Sequence, residues 1–287
     1  MVIGKSSTSS KWLTPRQYFS SSGEHPRKSL GQNFLVSTGT AIRIVQEAEL
    51  DWQEPVVEIG PGLGALTRHL VSRVRDLTLV EVDHKLAAYL ATQLEGRAPS
   101  VEIWCEDILK VSWMDLHRRY GRSLVVLGNL PYHITSPLMF RLLGERRAID
   151  RAIFMVQREV GERFVASPGT KAYGVLTVLL GIYTRPGILF RVSPKQFYPV
   201  PQVESIVVRI DFKRSEPDSV SFASLKRVVT AAFRMRRKTL LNSLSKAALL
   251  DRSALGKMLE EAGIDPNRRP EELNPEEYLF LARLLKA

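Results

Sequence analysis

The sequence predicts an α/β protein: a mostly parallel sheet of seven strands with helices on both faces, followed by a small all-α C-terminal domain. Three observations predict it. Short runs of branched apolar residues alternate with helix-patterned segments, the order expected of βαβ units. The first of these runs leads directly into Gly60-Pro61-Gly62-Leu63-Gly64, where missing side chains let a ligand approach the backbone. Beyond Arg214-Ser215-Glu216-Pro217-Asp218-Ser219, a stretch of linker composition, every periodic segment reads as helix. The expected division is therefore a tail over 1–26, a sheet domain over 27–214 and a helical domain over 215–287.

Composition narrows the class. The chain has 287 residues, 44% hydrophobic and 25% charged, with no apolar run near the length of a membrane span. Its single cysteine, Cys105, excludes an internal disulfide and a cysteine-based zinc cluster, and its five histidines show no metal-ligand spacing. No metal is expected. The lone cysteine makes a reducing compartment, the cytoplasm, the expected home, and a monomer is the default expectation. The formal charge of +11 points to a polyanionic partner, most simply nucleic acid, although a generally basic enzyme would show the same value.

Met1 to Gly23 holds seven serines, three basic residues and no acid, and is expected to be a mobile tail. Serine-rich leaders also serve as organellar import signals, a reading weakened here by the single arginine, Arg16. Arg27 to Leu35 then forms either a lid or a lead-in to a helix carrying Ile42, Val45 and Ala48. Strands are expected at Pro55–Ile59, Leu77–Val80, Val101–Trp104, Leu124–Asn129, Ala152–Val156, Ile188–Val192 and Glu204–Phe212, with helices through Leu66 and Leu70 and across Ala172–Tyr183. Phe197-Tyr198-Pro199-Val200-Pro201 forms a stiff loop near the site rim. In the tail domain, Leu225–Leu240 reads as an amphipathic helix with Arg227, Arg234 and Lys238 on one face, and Pro275–Leu285 as the last helix.

In an open parallel sheet, ligands bind beyond the strand ends. Three acids fall there: Glu58 before the glycine turn, Glu81 about 20 residues past its first glycine, and Asp107 after the third strand. A dinucleotide would meet two obstacles, since Pro61 lacks an N–H and Glu58 places an anion beside the turn. S-adenosylmethionine, a sulfonium with no phosphate, tolerates that neighbour. Glu81 suits a ribose diol and Asp107 an adenine amino group. The Rossmann-like turn thus favours the sulfonium cofactor over NAD, and no hydride-transfer acid–base pair is evident. At the end of the fourth strand, Gly128-Asn129-Leu130-Pro131-Tyr132 sets an amide, a rigid turn and an aromatic ring in succession. Asn129 and the carbonyl of Leu130, extended by Pro131, can accept hydrogen bonds from an amino-bearing base, and Tyr132 can stack on it.

These motifs, with Gly31-Gln32-Asn33-Phe34-Leu35, Phe154-Met155-Val156-Gln157-Arg158-Glu159, Lys171-Ala172-Tyr173-Gly174, the Phe197–Pro201 loop and Arg236-Arg237-Lys238-Thr239, closely resemble the ribosomal RNA adenine N6,N6-dimethyltransferases, most of all the bacterial small-subunit type. The resemblance implies a SAM-dependent methyltransferase domain that dimethylates two adjacent adenosines near the 3′ end of small-subunit rRNA. It implies that Asn33 and Leu35 close over the cofactor, that the Gly60–Gly62 turn meets its methionine end, Glu81 its ribose and Asp107 its adenine. Asn129 would border the cofactor and hold the target amino group, and Phe154 would pack on the base opposite Tyr132. His133 stands where that type usually has Asn. Arg227, Arg234, Arg237 and Lys238, with Arg158, Arg163 and Lys171 nearer the catalytic face, are the expected RNA contacts. A non-catalytic RNA-binding or assembly role on the same scaffold is the competing reading.

Overall fold

The structure is a computed structural model that describes residues 12–96, 101–131, 133–214, 220–246 and 251–285. The strands, in chain order, are β1 (Phe34–Leu35), β2 (Val56–Ile59), β3 (Leu77–Val80), β4 (Val101–Trp104), β5 (Leu124–Asn129), β6 (Ile149–Gln157), β7 (Thr184–Val192), β8 (Phe197–Tyr198) and β9 (Ser205–Phe212). Seven of them form one sheet in the order β4-β3-β2-β5-β6-β9-β7. β4 through β6 run parallel, and β9 lies antiparallel between β6 and β7. Because β2 is flanked by β3 on one side and β5 on the other, the strand order reverses there. That reversal opens a crevice at the carboxyl ends of β2 and β5.

Period-two alternation assigns each strand residue to a face. Val57, Ile59, Leu124, Val126, Ala152, Phe154 and Val156 join one apolar cluster, packed with α5 (Trp113–Tyr120), α6 (Thr135–Gly144) and α8 (Val175–Tyr183). Val56, Leu79, Val125, Leu127, Ile153 and Met155 join the other, beneath α2 (Thr38–Glu47), α3 (Thr67–Leu70) and α4 (His84–Leu94). The C-terminal helices α9 (Phe222–Phe233), α10 (Leu240–Lys246), α11 (Arg252–Glu261) and α12 (Pro275–Leu284) extend the first cluster, so both regions share one continuous core. Among the described residues no helix is long and apolar enough to cross a membrane.

Three expectations need correction. The first concerns the tail. Its residues 1–11 lie outside the described residues, but Pro15–Ser22 forms a helix, α1, rather than a mobile segment. Thr14 and Gln17 exchange hydrogen bonds in a capping box, Pro15 occupies the first turn, and Phe19 is buried against Phe34, Leu63 and Leu86. The second concerns Leu225–Leu240, which is two helices. Thr239 accepts a hydrogen bond from the Asn242 amide and opens α10, whose first amides are tied to Arg268 and Pro266 carbonyls. Arg227 therefore shares no helix with Lys238, although Arg227, Arg234, Arg237 and Lys238 are all exposed. The third is local: β7 starts at Thr184, earlier than Ile188, because Pro186 is tolerated in a strand at the sheet edge. The linker residues 215–219 lie outside the described residues.

The helix α7 (Arg158–Phe164) approaches the sheet through Gly161, where a Cβ would fall 2.4 Å and 2.7 Å from side-chain atoms of the buried Ile206. Gly161→Ala is expected to cost about 1–3 kcal/mol through overpacking, read as a lowered urea midpoint with an unchanged slope.

Candidate active site

The crevice predicted by the topology is a cleft of about 230 Å³ lined by the glycine turn, Asn33 to Leu35, Glu58, Glu81, Asp107, Asn129 and Leu130. The structure thus brings together the expected cofactor residues and the first part of the catalytic motif. The turn rises from β2 with Gly62 at φ 58°. A side chain there would also meet the Phe34 ring at 3.1 Å, so the position is closed to anything larger than glycine.

Glu81 holds this turn in place. One carboxylate oxygen accepts the Gly62 amide at 3.0 Å and the other accepts the Asp83 amide at 2.9 Å. Burial raises its pKa above the ordinary carboxylate range, and these amides oppose the rise. Each oxygen has a second lone pair left for a donor, which suits the two hydroxyls of a ribose. The amides of Gly60, Gly62 and Gly64 are bonded to Val80, Glu81 and Pro61, and Pro61 has none. The glycine amides of the turn are therefore already engaged and are not left for a diphosphate. A phosphate-free, hydroxyl-rich cationic cofactor fits this set of donors and acceptors.

Asp107 lines the far part of the cleft beside Glu106 and Ile108. One of its oxygens accepts the Leu109 amide at 2.9 Å, which fixes the carboxylate and leaves the other oxygen for an amino group.

Glu58 departs from the expectation of an anion at the strand end. It is 2% exposed, and burial raises its pKa from 4.5 to about 8, with the Thr67 hydroxyl at 2.7 Å pulling the other way. In the absence of a bound cation it is therefore mostly protonated at neutral pH. The cause is its place in the strand, on the same side as Val56, beneath α3.

Asn129, at the end of β5, donates its Nδ2 to the Asn33 carbonyl at 2.8 Å. A carbonyl partner requires the nitrogen on that side, so the orientation of the amide is settled and Oδ1 is left as an acceptor at the cleft. Leu130 is buried and anchored by its amide to the Met155 carbonyl at 3.0 Å. Its own carbonyl takes no hydrogen bond among the described residues. Pro131 lines the same wall, while Tyr132 lies outside the described residues.

Phe154 does not occupy its expected place against a target base. It is 0% exposed, on the face of β6 buried in the apolar cluster with α6 and α8, and it does not line the cleft. Alternation along a central strand sends it into the core. Several cleft residues were not singled out from the sequence, among them Pro15, Arg68 and Glu106. For Pro15 the signal was available, since Thr14-Pro15-Arg16-Gln17 spells a capped helix start. His133 is exposed at the cleft wall, with Nδ1 3.5 Å from where a Cβ on Gly31 would lie.

On the basic side, Lys171 is exposed, and Arg158 is partly occupied by Glu162 and Glu204 at 3.6 Å and 3.5 Å. Arg236 joins the two regions. It donates to the Thr170 carbonyl at 3.0 Å and faces Glu271 at 3.4 Å. Lys171 and the Arg234–Lys238 turn are thereby held side by side.

Glu58 makes stability depend on pH. Its folded-state pKa lies above its unfolded value, so the stability associated with its neutral form is complete below about pH 4.5 and is lost as pH rises through about 8. Glu58→Gln is expected to abolish this contribution, so the variant should gain on the native protein between those limits when urea midpoints are compared across pH.

Comparison with known proteins agrees with this geometry. Residues 23–287 match the family model of ribosomal RNA adenine dimethylase. A ribosomal RNA small subunit methyltransferase A from Pelotomaculum thermopropionicum (strain DSM 13744 / JCM 10971 / SI) is 44% identical over 270 residues, covering 91% of this chain and 91% of the relative. A dimethyladenosine transferase from Plasmodium falciparum shares the fold with a TM-score of 0.76 at 23% identity, over 86% of this chain and 95% of that one. The 23S rRNA methyltransferase ErmE gives a TM-score of 0.65 at 28% identity, over 88% of this chain and 100% of that one. With nearly its whole length matched, the chain belongs to the ribosomal RNA adenine dimethylase family.

Proposed function

We propose that the chain transfers methyl groups from S-adenosylmethionine to N6 of two adjacent adenosines near the 3′ end of small-subunit rRNA, giving N6,N6-dimethyladenosine during assembly of the small subunit. The observation that carries this reading is the fixed amide of Asn129, whose oxygen is kept for a donor in the same cleft as the Glu81 and Asp107 carboxylates. Bound there, the cofactor supplies an electrophilic methyl group on a sulfonium.

The protein's own part is orientation. The N6 lone pair of adenine is conjugated with the ring and is a poor nucleophile. Acceptance of its hydrogens by Asn129 Oδ1 and the Leu130 carbonyl favours a pyramidal nitrogen whose lone pair is free to attack. The gain comes from positioning and from acceptors already in place. No strong base is required, because attack makes the nitrogen acidic and the proton passes to water. Asn33 and Leu35 cover the cofactor, Gly60 and Gly62 border its methionine end, and Tyr132 stacks on the base. A paired adenine cannot enter, so the target is taken unpaired or flipped out.

Residues 27–214 serve as the catalytic unit and 215–287 as the main RNA grip, acting as a monomer in the cytoplasm. Arg227, Arg234, Arg237 and Lys238 contact phosphates, with Arg158 and Lys171 nearer the site.

Transfer of labelled methyl groups from S-adenosylmethionine to immature small subunits tests the reading. Asn129→Ala is expected to lower the rate by about 10²–10³-fold while leaving RNA affinity nearly unchanged. Normal turnover by this variant removes Asn129 from the mechanism. The pair Arg237→Ala and Lys238→Ala should instead weaken RNA binding and reduce the slope of log K against log salt by about one for each phosphate that is no longer neutralised.

A further inference from the structure

We propose that Arg68, held against Trp12, binds the carboxylate at the amino-acid end of the cofactor. This rests on the cofactor reading above and extends it to a charge pairing at one end of the cleft.

The cleft is lined by four acids, Glu58, Glu81, Glu106 and Asp107, and among the described residues Arg68 is its only arginine or lysine. A partly buried guanidinium in such a place would ordinarily be paired with a neighbouring carboxylate. Arg68 is not. Its one side-chain hydrogen bond among the described residues runs from Nε to the Gly64 carbonyl at 3.0 Å, which fixes the fork and leaves the outer nitrogens without a hydrogen-bond partner. The nearby Glu58 accepts from the Thr67 hydroxyl instead. Burial pulls the Arg68 pKa below the ordinary range, so its charge is held at a cost that a ligand anion would offset.

The position of Arg68 identifies the anion. Adenine is assigned to Asp107 and ribose to Glu81. Arg68 lines the cleft from α3, directly after the glycine turn to which the cofactor's amino-acid end is assigned. S-adenosylmethionine has a single anionic group, the carboxylate of that amino acid. An arginine fork matches a carboxylate in shape as well as charge.

Trp12 keeps the fork in place. The Arg68 guanidinium lies 5.5 Å from the Trp12 ring centre. Trp12 is seated on Gly64, where a Cβ would fall 2.2 Å from the indole and φ is 79°, so the ring depends on glycine at that position. The next amide, that of Leu13, donates to the Tyr89 hydroxyl at 3.0 Å, and Pro15 of α1 lines the cleft itself. The segment that supports Arg68 therefore precedes residue 23, where the family match begins.

The test is calorimetric titration of the full chain with two ligands. S-adenosylhomocysteine carries the amino-acid end, whereas 5′-methylthioadenosine keeps adenosine and sulfur but lacks it. Arg68→Gln is expected to weaken S-adenosylhomocysteine by about tenfold or more and to leave 5′-methylthioadenosine within about twofold. Arg68→Lys should lose less, and Trp12→Ala should show a smaller loss with the same ligand selectivity. Unchanged binding of S-adenosylhomocysteine by Arg68→Gln, or equal losses for both ligands, overturns the proposal. Failure of the native chain to bind either ligand overturns the cofactor reading, and this proposal with it.

Discussion

The hydrogen bond from Asn129 to the Asn33 carbonyl is the constraint on which the site depends. An asparagine amide has a donor end and an acceptor end, and nothing in its shape chooses between them. The choice is made by a backbone group 96 residues away in sequence. That carbonyl lies next to β1, whose residues Phe34 and Leu35 pair with Tyr198 and Phe197 of β8. The two-stranded sheet thus ties the segment over the cleft to the loop that follows β7, and the amide takes its orientation from both.

A second chain of contacts runs through Glu81 at the cleft. Asp83 donates its amide to Glu81 and accepts from Gln32 at 3.0 Å, with Arg27 at 3.5 Å from the same carboxylate. Glu81 in turn fixes Gly62. The glycine turn, Glu81 and the Arg27–Gln32 segment are therefore one bonded unit, in which each member restrains the next. The helical region is joined just as firmly at the other end, since Arg236 bridges Thr170 and Glu271 and the Tyr173 hydroxyl donates to the Leu273 carbonyl at 2.9 Å.

The parts of this structure with strong local periodicity were legible in the sequence. The parallel strands, the glycine turn and the acids at the strand ends follow from apolar runs and their punctuation, and Asn129 from its place at the end of β5. Other parts were not, for identifiable reasons. β1 and β8 are two residues long, too short for any alternation to register. Trp12 and Pro15 were hidden by a serine-rich composition that looks mobile, although Thr14 and Gln17 carried the capping signal. The basic stretch after Phe233 kept helical spacing while Thr239 started a new helix, so a face drawn through both was not a real face. Phe154 shows the limit of motif reading: a side chain's place in a motif does not say which side of a strand it leaves from.

The outer edge of the sheet sets a limit of its own. Among the described residues β7 has β9 on one side and no strand on the other, a position that commonly invites a foreign strand to pair. Pro186 removes one donor from it, the ladder slips between Ile188 and Phe190, and Arg185 and Arg191 stand exposed along it. A neighbouring polypeptide would find an interrupted template guarded by positive charge, the kind of edge that discourages a foreign strand from pairing.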